Sequence, residues 1–468
     1  MNNFLPINNK KIGILGAARS GLAAAQLANN LGADVFVSDI NNLSDIKIDG
    51  VECEFGKHSD RILDSDLVIK SPGIKNDSKI IQKINKVSIP IVSEIEFASW
   101  FTNGFIIALT GTNGKTTTVE LINSILKDNG IVSFLGGNVG VPFSTNVLTE
   151  IHNNNDDNLF HVLEVSSFQL EDIKYFKPNI SIILNISPDH IDYHKNFNNY
   201  KNSKKKLFSD FANNGIAIIN NNISEHNEFI KAANSNNMKV ITLGQSSTSV
   251  FRYKLLKLKN KNYEVKIFYK NTASTIFSRL IGNYQIDNLL TAICIMIEMG
   301  FQRKEIENLS RNIKSPPGRI ELIRNIKGAE IYIDYAHTPD ALENVLKSLR
   351  PYVKNKLYLV FGCGGDRDKG KRKDMGKIAH KFSDINIITD DNPRYEDPKK
   401  IRREILKYCP NAIDIADRRI AIINTIKKLV NGDILLIAGK GHESTQEIKG
   451  RHLYFDDAKV IKKVLVKD

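Results

Sequence analysis

The sequence predicts an α/β protein of three domains, each built on a largely parallel sheet with helices on its faces. Three observations carry that prediction. The chain has 468 residues, and at ~150 residues per domain that is about three domains. Two strand–glycine turn–helix units stand at 11–39 and 105–126. In the last third, four apolar strands each run into a polar or glycine-rich turn, the pattern of a doubly wound sheet.

The first unit begins with Lys11-Ile-Gly-Ile-Leu15, an apolar strand. Gly16-Ala-Ala-Arg-Ser-Gly21 turns, Leu22–Asn30 reads as a helix that Gly32 stops, and Val35-Phe-Val-Ser-Asp39 is the next strand. This is a Rossmann-like βαβ unit with an acid about 20 residues beyond its turn. Ala18 stands where G-x-G-x-x-G needs its middle glycine, so the ligand is open to any nucleotide diphosphate. Asp39 either holds ribose or uracil or caps a helix. Leu67–Gly73 and Ile89–Glu94 add two more strands, and the first domain is expected to cover 1–100.

The second unit, 101–314, organises the chain. Phe105-Ile-Ile-Ala-Leu109 is a β-branched apolar strand and Val119–Leu126 has helical apolar spacing. Between them lies Gly111-Thr112-Asn113-Gly114-Lys115-Thr116-Thr117. In that context backbone N–H groups and a helix N-terminus face an anion, Lys115 adds a point charge, and Thr116 can hold Mg²⁺. Leu109 occupies the first glycine of G-x-x-x-x-G-K-[ST], so this is a shortened phosphate loop. The domain is therefore expected to be of the P-loop type, and the resemblance given below makes it the central ATPase domain. Gly136–Gly140 exposes backbone around Asn138. Phe160–Glu171 places Glu164 inside an apolar strand, where a carboxylate needs a partner or a metal. Ile180–Ile186 runs into Ser187-Pro-Asp-His190. A Glu and a His at neighbouring strand ends can hold Mg²⁺ beside phosphates. Tyr200–Phe208 is basic and reads as a solvated helix face. Residues 212–280 read as short strands with polar turns, and Gly282–Asn288 opens a helix that continues to Met299.

The third domain, 315–468, follows Ser315-Pro-Pro-Gly-Arg319 and is Rossmann-like again. Its strands run into Asp334–Asp340, Gly362–Gly370, Asp390–Arg394 and Gly439–Glu443. Functional residues are expected at those ends.

Composition narrows the function. The net charge is +13, but the lysines are scattered and not interleaved with aromatics, so no nucleic-acid partner is expected. No apolar run reaches the ~18 residues of a membrane span. Met-Asn-Asn-Phe-Leu-Pro lacks a basic segment followed by an apolar one, and Cys53, Cys294, Cys363 and Cys409 have no metal-type spacing. Reduced cysteines in a cytoplasmic monomer acting on small molecules are expected. A nicotinamide dehydrogenase would leave the phosphate loop idle. A regulatory GTPase needs the strict loop and switch regions. A folate-polyglutamating ligase would not need the N-terminal Rossmann unit.

With these motifs in order, G-T-N-G-K-T-T, E-V-S-S-F, N-x-S-x-D-H and the Arg319 linker, the chain resembles the Mur ligases of peptidoglycan synthesis over essentially its full length. The resemblance implies ATP and Mg²⁺, attack of an acceptor carboxylate on the γ-phosphate, and an acyl phosphate that an amino acid's amine resolves. It implies catalytic roles for Lys115, Asn138, His190 and Lys204. Thr116, Glu164, His190 and Lys204 would serve the metal, with Lys204 (or, one register over, Lys205) carbamylated. Gly111–Thr117, Gln285, Arg319 and Asp334 would bind ATP. Arg19, Ser20, Asp39, Ser71 and Gly73 would meet the UDP-substrate. Asn392, Arg394, Gly439 and Glu443 would meet the amino acid. Tyr284-Gln285 departs from the family's His-Asn.

The first two domains resemble members that add D-glutamate, through Ser71-Pro-Gly73, Ser93-Glu-Ile-Glu-Phe97 and Phe168-Gln-Leu-Glu171. The third resembles members that add meso-diaminopimelate, through Asp391-Asn-Pro-Arg394 and Gly439-Lys-Gly-His-Glu443. The acceptor half is given the greater weight, so the expected activity is addition of D-glutamate to UDP-N-acetylmuramoyl-L-alanine. The alternatives are meso-diaminopimelate onto UDP-N-acetylmuramoyl-L-alanyl-D-glutamate and L-glutamate onto UDP-N-acetylmuramoyl-L-alanine.

Overall fold

The computed structural model describes residues 7–43, 45–153, 158–208, 214–259 and 262–464. They form two compact units. The first runs through Lys254 and includes Ile267–Ala273 and Thr291–Met299; the second takes Leu255–Lys266, Ser274–Leu290 and the chain from Gly300 onward. None of the helices among the described residues is long and apolar enough to cross a membrane.

The first unit holds two parallel arrays. In the N-terminal sheet the strands lie in the order Glu52–Phe55, Asp34–Asp39, Lys11–Leu15, Leu67–Lys70, Ile91–Ser93, all parallel. Ile12, Ile14 and Leu15 of the central strand are buried, as expected where helices cover both faces. In the second array, the strands Lys239–Gly244, Ile216–Asn220, Ile180–Ile183, Phe105–Thr110, Phe160–Glu164 and Ser133–Gly137 run side by side in that order. The phosphate-loop strand is therefore interior, and the ends carrying Gly111, Glu164 and Asn185 are neighbours. Residues 212–280 contain more than the strands expected: His226–Ser235 is a helix. Its apolar face is short: Phe229 and Ala233 are buried, and Ile230 and Ala232 pack beside them.

Buried carboxylates tie the two arrays together within this unit. Glu96, fully buried, accepts from Trp100 Nε1 and from the backbone N–H groups of Lys174, Tyr175 and Phe176. Glu94 accepts from Ser144 N at 2.5 Å. Lys70, also buried, pairs with Asp172 at 2.8 Å.

The second unit carries a sheet in the order Glu321–Ile326, Ala329–Asp334, Ile434–Ala438, Leu357–Phe361, Ile385–Ile388, Ile413–Asp414. Only the Glu321–Ile326 edge pairs antiparallel. The four expected strands are present, and the apolar runs LYLVF and ILLIA are buried throughout. Arg418 and Asp457 form an ion pair with no exposed side-chain surface, and Arg418 also donates to Ala438 O.

Candidate active site

The phosphate loop forms as its sequence dictates. The strand Phe105–Thr110 leads through Gly111–Gly114 into the helix Lys115–Asp128, whose first-turn N–H groups are unsatisfied within the helix and available to an anion. Thr117 is buried in that first turn. Asn185 fixes the loop from the next strand. Its Oδ1 accepts from Thr112 N at 3.1 Å and Asn113 N at 2.8 Å, and its Nδ2 donates to Asn113 O at 2.9 Å. Lys115 Nζ rests on Thr112 O at 2.8 Å.

Three expected residues meet at one carboxylate. Glu164, 2% exposed, accepts from Thr116 Oγ1 at 2.7 Å and from Asn138 Nδ2 at 2.8 Å. Asn138 can reach it because Gly137 adopts φ +92, where a Cβ would lie 2.3 Å from Glu164 O; only glycine fits. Lys204 lies on the helix Phe197–Lys205 with 1% exposure. The solvated-face reading of this stretch fails at Lys201, which is buried against Glu228. Lys204 Nζ donates to Gly111 O at 2.9 Å and Thr110 Oγ1 at 3.2 Å, over the Tyr200 ring at 4.7 Å. Burial, and then the charge of Lys115, pull its pKa well below the usual lysine range; Asp189 and Glu164 oppose this. His190 stands at the start of the helix Ile191–His194 with φ +52. Its ring packs on Phe168 at 4.9 Å, and Nε2 is 3.5 Å from Asp189 Oδ2. Among the described residues no three His, Cys, Asp or Glu side chains gather as a metal cluster.

At the N-terminal sheet, Arg19 and Ser20 open the helix Arg19–Asn30, and Arg19 donates to Gly140 O. Asp39 braces the glycine turn. Its carboxylate accepts from Ala17 N at 2.7 Å and Asn41 N at 2.8 Å, and it caps no helix side chain to backbone. Ser71 Oγ donates to Gly16 O at 3.2 Å, and Gly73 has open space around it.

In the second unit, Asp334 ends its strand and accepts from Ile320 N and Ala336 N, both at 2.7 Å. Burial pushes its pKa up to about 6, and Arg319 opposes the rise. The Arg319 guanidinium lies 4.6 Å from the Tyr335 ring centre. Ile320 between them sits at φ +45, a strained position for a β-branched residue. Among the described residues, Gln285 Oε1, Asn288 Nδ2 and Arg319 Nε are buried and find no hydrogen-bond partner. Such orphaned groups are costly unless something else satisfies them.

The expected amino-acid residues come together in part. Asn392 Nδ2 donates to Glu443 Oε2 at 3.2 Å, and Tyr335 OH donates to Glu443 Oε1 at 3.3 Å. Gly439 adopts φ +113, and a Cβ there would lie 2.6 Å from Asp391 Oδ2. Arg394 is engaged elsewhere: Nε pairs with Glu447 at 2.9 Å and Nη1 donates to Gly365 O at 2.9 Å. Sequence reasoning passed over Asn185, Tyr200 and Lys440. Asn185 had a visible signal, its place in N-x-S-x-D-H at a strand end. Tyr200 OH lies 3.1 Å from the phosphate-loop Thr112 Oγ1, a contact between residues far apart in the chain.

The fold and the order of these sites define an ATP-dependent amide-forming ligase. Residues 11–80 match the MurD N-terminal domain, 109–296 the Mur ligase middle domain, and 318–441 the Mur ligase glutamate ligase domain. The UDP-N-acetylmuramoyl-L-alanyl-D-glutamate:2,6-diaminopimelate ligase of Rickettsia prowazekii (strain Madrid E) is 39% identical over 389 residues, 77% of this chain and 79% of that protein. The chain belongs to the Mur ligase family, the ATP-dependent ligases of peptidoglycan synthesis. A solved structure of a diaminopimelate ligase of the same description matches with a TM-score of 0.56 and 27% identity, over 98% of this chain and 92% of that one. The MurF ligase of Thermotoga maritima in complex with ADP shares the fold, at TM-score 0.59 and 14% identity over 92% and 91% of the two chains.

These relatives overturn the expectation of a UDP-N-acetylmuramoyl-L-alanine:D-glutamate ligase, since those named add 2,6-diaminopimelate. The physical reason is the weighting. The acceptor-side motifs were allowed to decide the incoming amino acid, whereas the residues expected to touch that amino acid are in 391–443.

Proposed function

We propose that this ligase adds meso-diaminopimelate to UDP-N-acetylmuramoyl-L-alanyl-D-glutamate. The observation that carries the reading is the bond from Asn392 Nδ2 to Glu443 Oε2, which joins the 391–394 turn to the Gly439 loop; Arg394, now paired with Glu447, would turn to the substrate when it binds. A carboxylate there would receive the ammonium of the amino acid's far end, and a guanidinium its carboxylate. The relatives' names favour the same substrate. The expected domains divide the work: 1–100 holds the UDP group through Arg19, Ser20, Asp39, Ser71 and Gly73, 101–314 carries the phosphoryl chemistry, and 315–468 receives the amino acid.

In this mechanism the acceptor carboxylate oxygen attacks the γ-phosphorus of ATP, ADP leaves, and an acyl phosphate forms. The phosphate-loop amides and Lys115 offset charge on the transferring group. Thr116 and Glu164 suit Mg²⁺, which takes one or two carboxylates together with phosphate oxygens; when bound, it would further neutralise those phosphates. His190 and a carbamylated Lys204 would complete the set. Burial lowers the pKa of Lys204, which favours the neutral amine, the form that adds CO₂. Asn138 positions Glu164 and the acyl group. The amine of the incoming amino acid then attacks the acyl carbon, and inorganic phosphate leaves. Gln285, Arg319 and Asp334 would serve ATP, and the buried atoms Gln285 Oε1 and Arg319 Nε, without a partner among the described residues, support that reading.

A second reading is addition of L-glutamate to UDP-N-acetylmuramoyl-L-alanine, favoured by the MurD-type match of residues 11–80. Phosphate release from ATP decides between the two. Turnover with the dipeptide acceptor and diaminopimelate is the expected result. Turnover confined to the L-alanine acceptor with L-glutamate would replace the first reading with the second.

A further inference from the structure

We propose that Lys440 is a specificity-determining residue of the amino-acid site. It would hold Glu443 in place and bias the site toward an amino-acid end bearing both an ammonium and a carboxylate. The inference rests on the amino-acid reading of the Gly439 loop.

Lys440 has no exposed surface. A lysine that deep is rare unless its charge is paired. Its Nζ donates to Asn392 Oδ1 at 3.1 Å and to Glu443 Oε2 at 3.2 Å. With the Asn392–Glu443 bond at 3.2 Å this closes a triangle. Glu447 N also donates to Asn392 Oδ1 at 3.0 Å. Two donors on Oδ1 fix the amide's orientation, so Nδ2 must face Glu443. Lys440 thus sets the direction of one expected ligand and takes up one oxygen of another.

It also sets the local charge. Around the loop stand the cations Lys440, Arg394 and Arg418 and the anions Glu443, Glu447, Asp391 and Asp457, paired through Lys440–Glu443, Arg394–Glu447 and Arg418–Asp457. Arg319 lies close by, over the Tyr335 ring; replacing Lys440 takes one positive charge out of this cluster and makes it more negative by one. A more negative site favours a bare ammonium, as in L-lysine, over the neutral ammonium–carboxylate end of diaminopimelate.

The test uses the full-length enzyme with ATP and the dipeptide acceptor. KM for meso-diaminopimelate is compared with the inhibition constant of L-lysine against it. In Lys440→Met the preference for diaminopimelate over lysine is expected to fall about tenfold, the effect of one charge-assisted contact, while KM for ATP stays within about twofold. Lys440→Gln carries the same comparison if Lys440→Met does not fold. In a Glu443→Gln background the Lys440 substitution is expected to move the preference less than about threefold, because it acts through Glu443. A wild-type preference that Lys440→Met leaves within twofold, or equal shifts with and without Glu443, overturns the inference. A wild-type enzyme that does not turn over diaminopimelate instead removes the functional reading beneath it.

Discussion

Asn185 braces the phosphate loop with three side-chain hydrogen bonds, and its removal has a calculable cost. Asn185→Ala removes two acceptor contacts, to Thr112 N and Asn113 N, and one donor contact, to Asn113 O. At about 0.5–1.5 kcal/mol net for each bond, the loop loses roughly 1.5–4.5 kcal/mol of local order. Most of that must be supplied again when phosphates bind. At 1.4 kcal/mol per factor of ten, kcat/KM for ATP should fall by about tenfold to a thousandfold. Asn185→Asp keeps both acceptors, loses the donor and sets a negative charge against the amides meant for phosphate, so it should be at least as damaging. The assay is phosphate release at saturating acceptor and amino acid with ATP varied, alongside thermal melting to confirm the fold. A kcat/KM for ATP within threefold of wild type in folded Asn185→Ala would refute the bracing role.

Four further outcomes follow from the same structure. Lys115→Ala and His190→Ala should abolish turnover, and substantial activity in either variant contradicts its assigned role. Lys204→Ala should lose activity that short-chain acids restore and bicarbonate does not; recovery with bicarbonate alone argues against a carbamate. Arg418→Met leaves Asp457 as an uncompensated buried charge and should destabilise the second unit by about 3–5 kcal/mol in urea unfolding; an unchanged midpoint denies the pair that weight. Burial raises the Glu94 pKa from 4.5 to about 7. The fold therefore favours its protonated form, whose stabilising contribution is full below 4.5 and is lost as pH rises through about 7. Glu94→Gln should melt with wild type at pH 4.5 and be more stable at pH 8, by roughly 3 kcal/mol at most; equal melting at both pH values rules the titration out.

Much of this was legible in the sequence because parallel strands buried on both faces are continuous apolar runs, and their ends are marked by glycine and polar residues. Phe105–Thr110, Leu357–Phe361 and Ile434–Ala438 were readable for that reason, and Gly111–Thr117 by its place between a strand and a helix. What could not be read depends on contacts across the fold. Lys204 was set apart from Lys205 only by the resemblance, with the register open by one residue, and its burial against Gly111 and Tyr200 is a contact no spacing shows. Lys440 lies inside the run Gly439-Lys-Gly-His-Glu443, but nothing there shows that it is buried or that it pairs with Asn392, 48 residues away. The helix His226–Ser235 is short and its apolar face, Phe229, Ile230, Ala232 and Ala233, spans barely one turn, too little to stand out among the polar turns around it. The incoming amino acid was misjudged because acceptor motifs and amino-acid motifs are separate in the chain, and the stronger acceptor signal was given the decision.

The most direct test is phosphate release from ATP by the wild-type enzyme with UDP-N-acetylmuramoyl-L-alanyl-D-glutamate and meso-diaminopimelate, run beside UDP-N-acetylmuramoyl-L-alanine with L-glutamate. The account predicts amide formation and phosphate release with the dipeptide acceptor and diaminopimelate. Release confined to the L-alanine acceptor, or none with either pair, would contradict it.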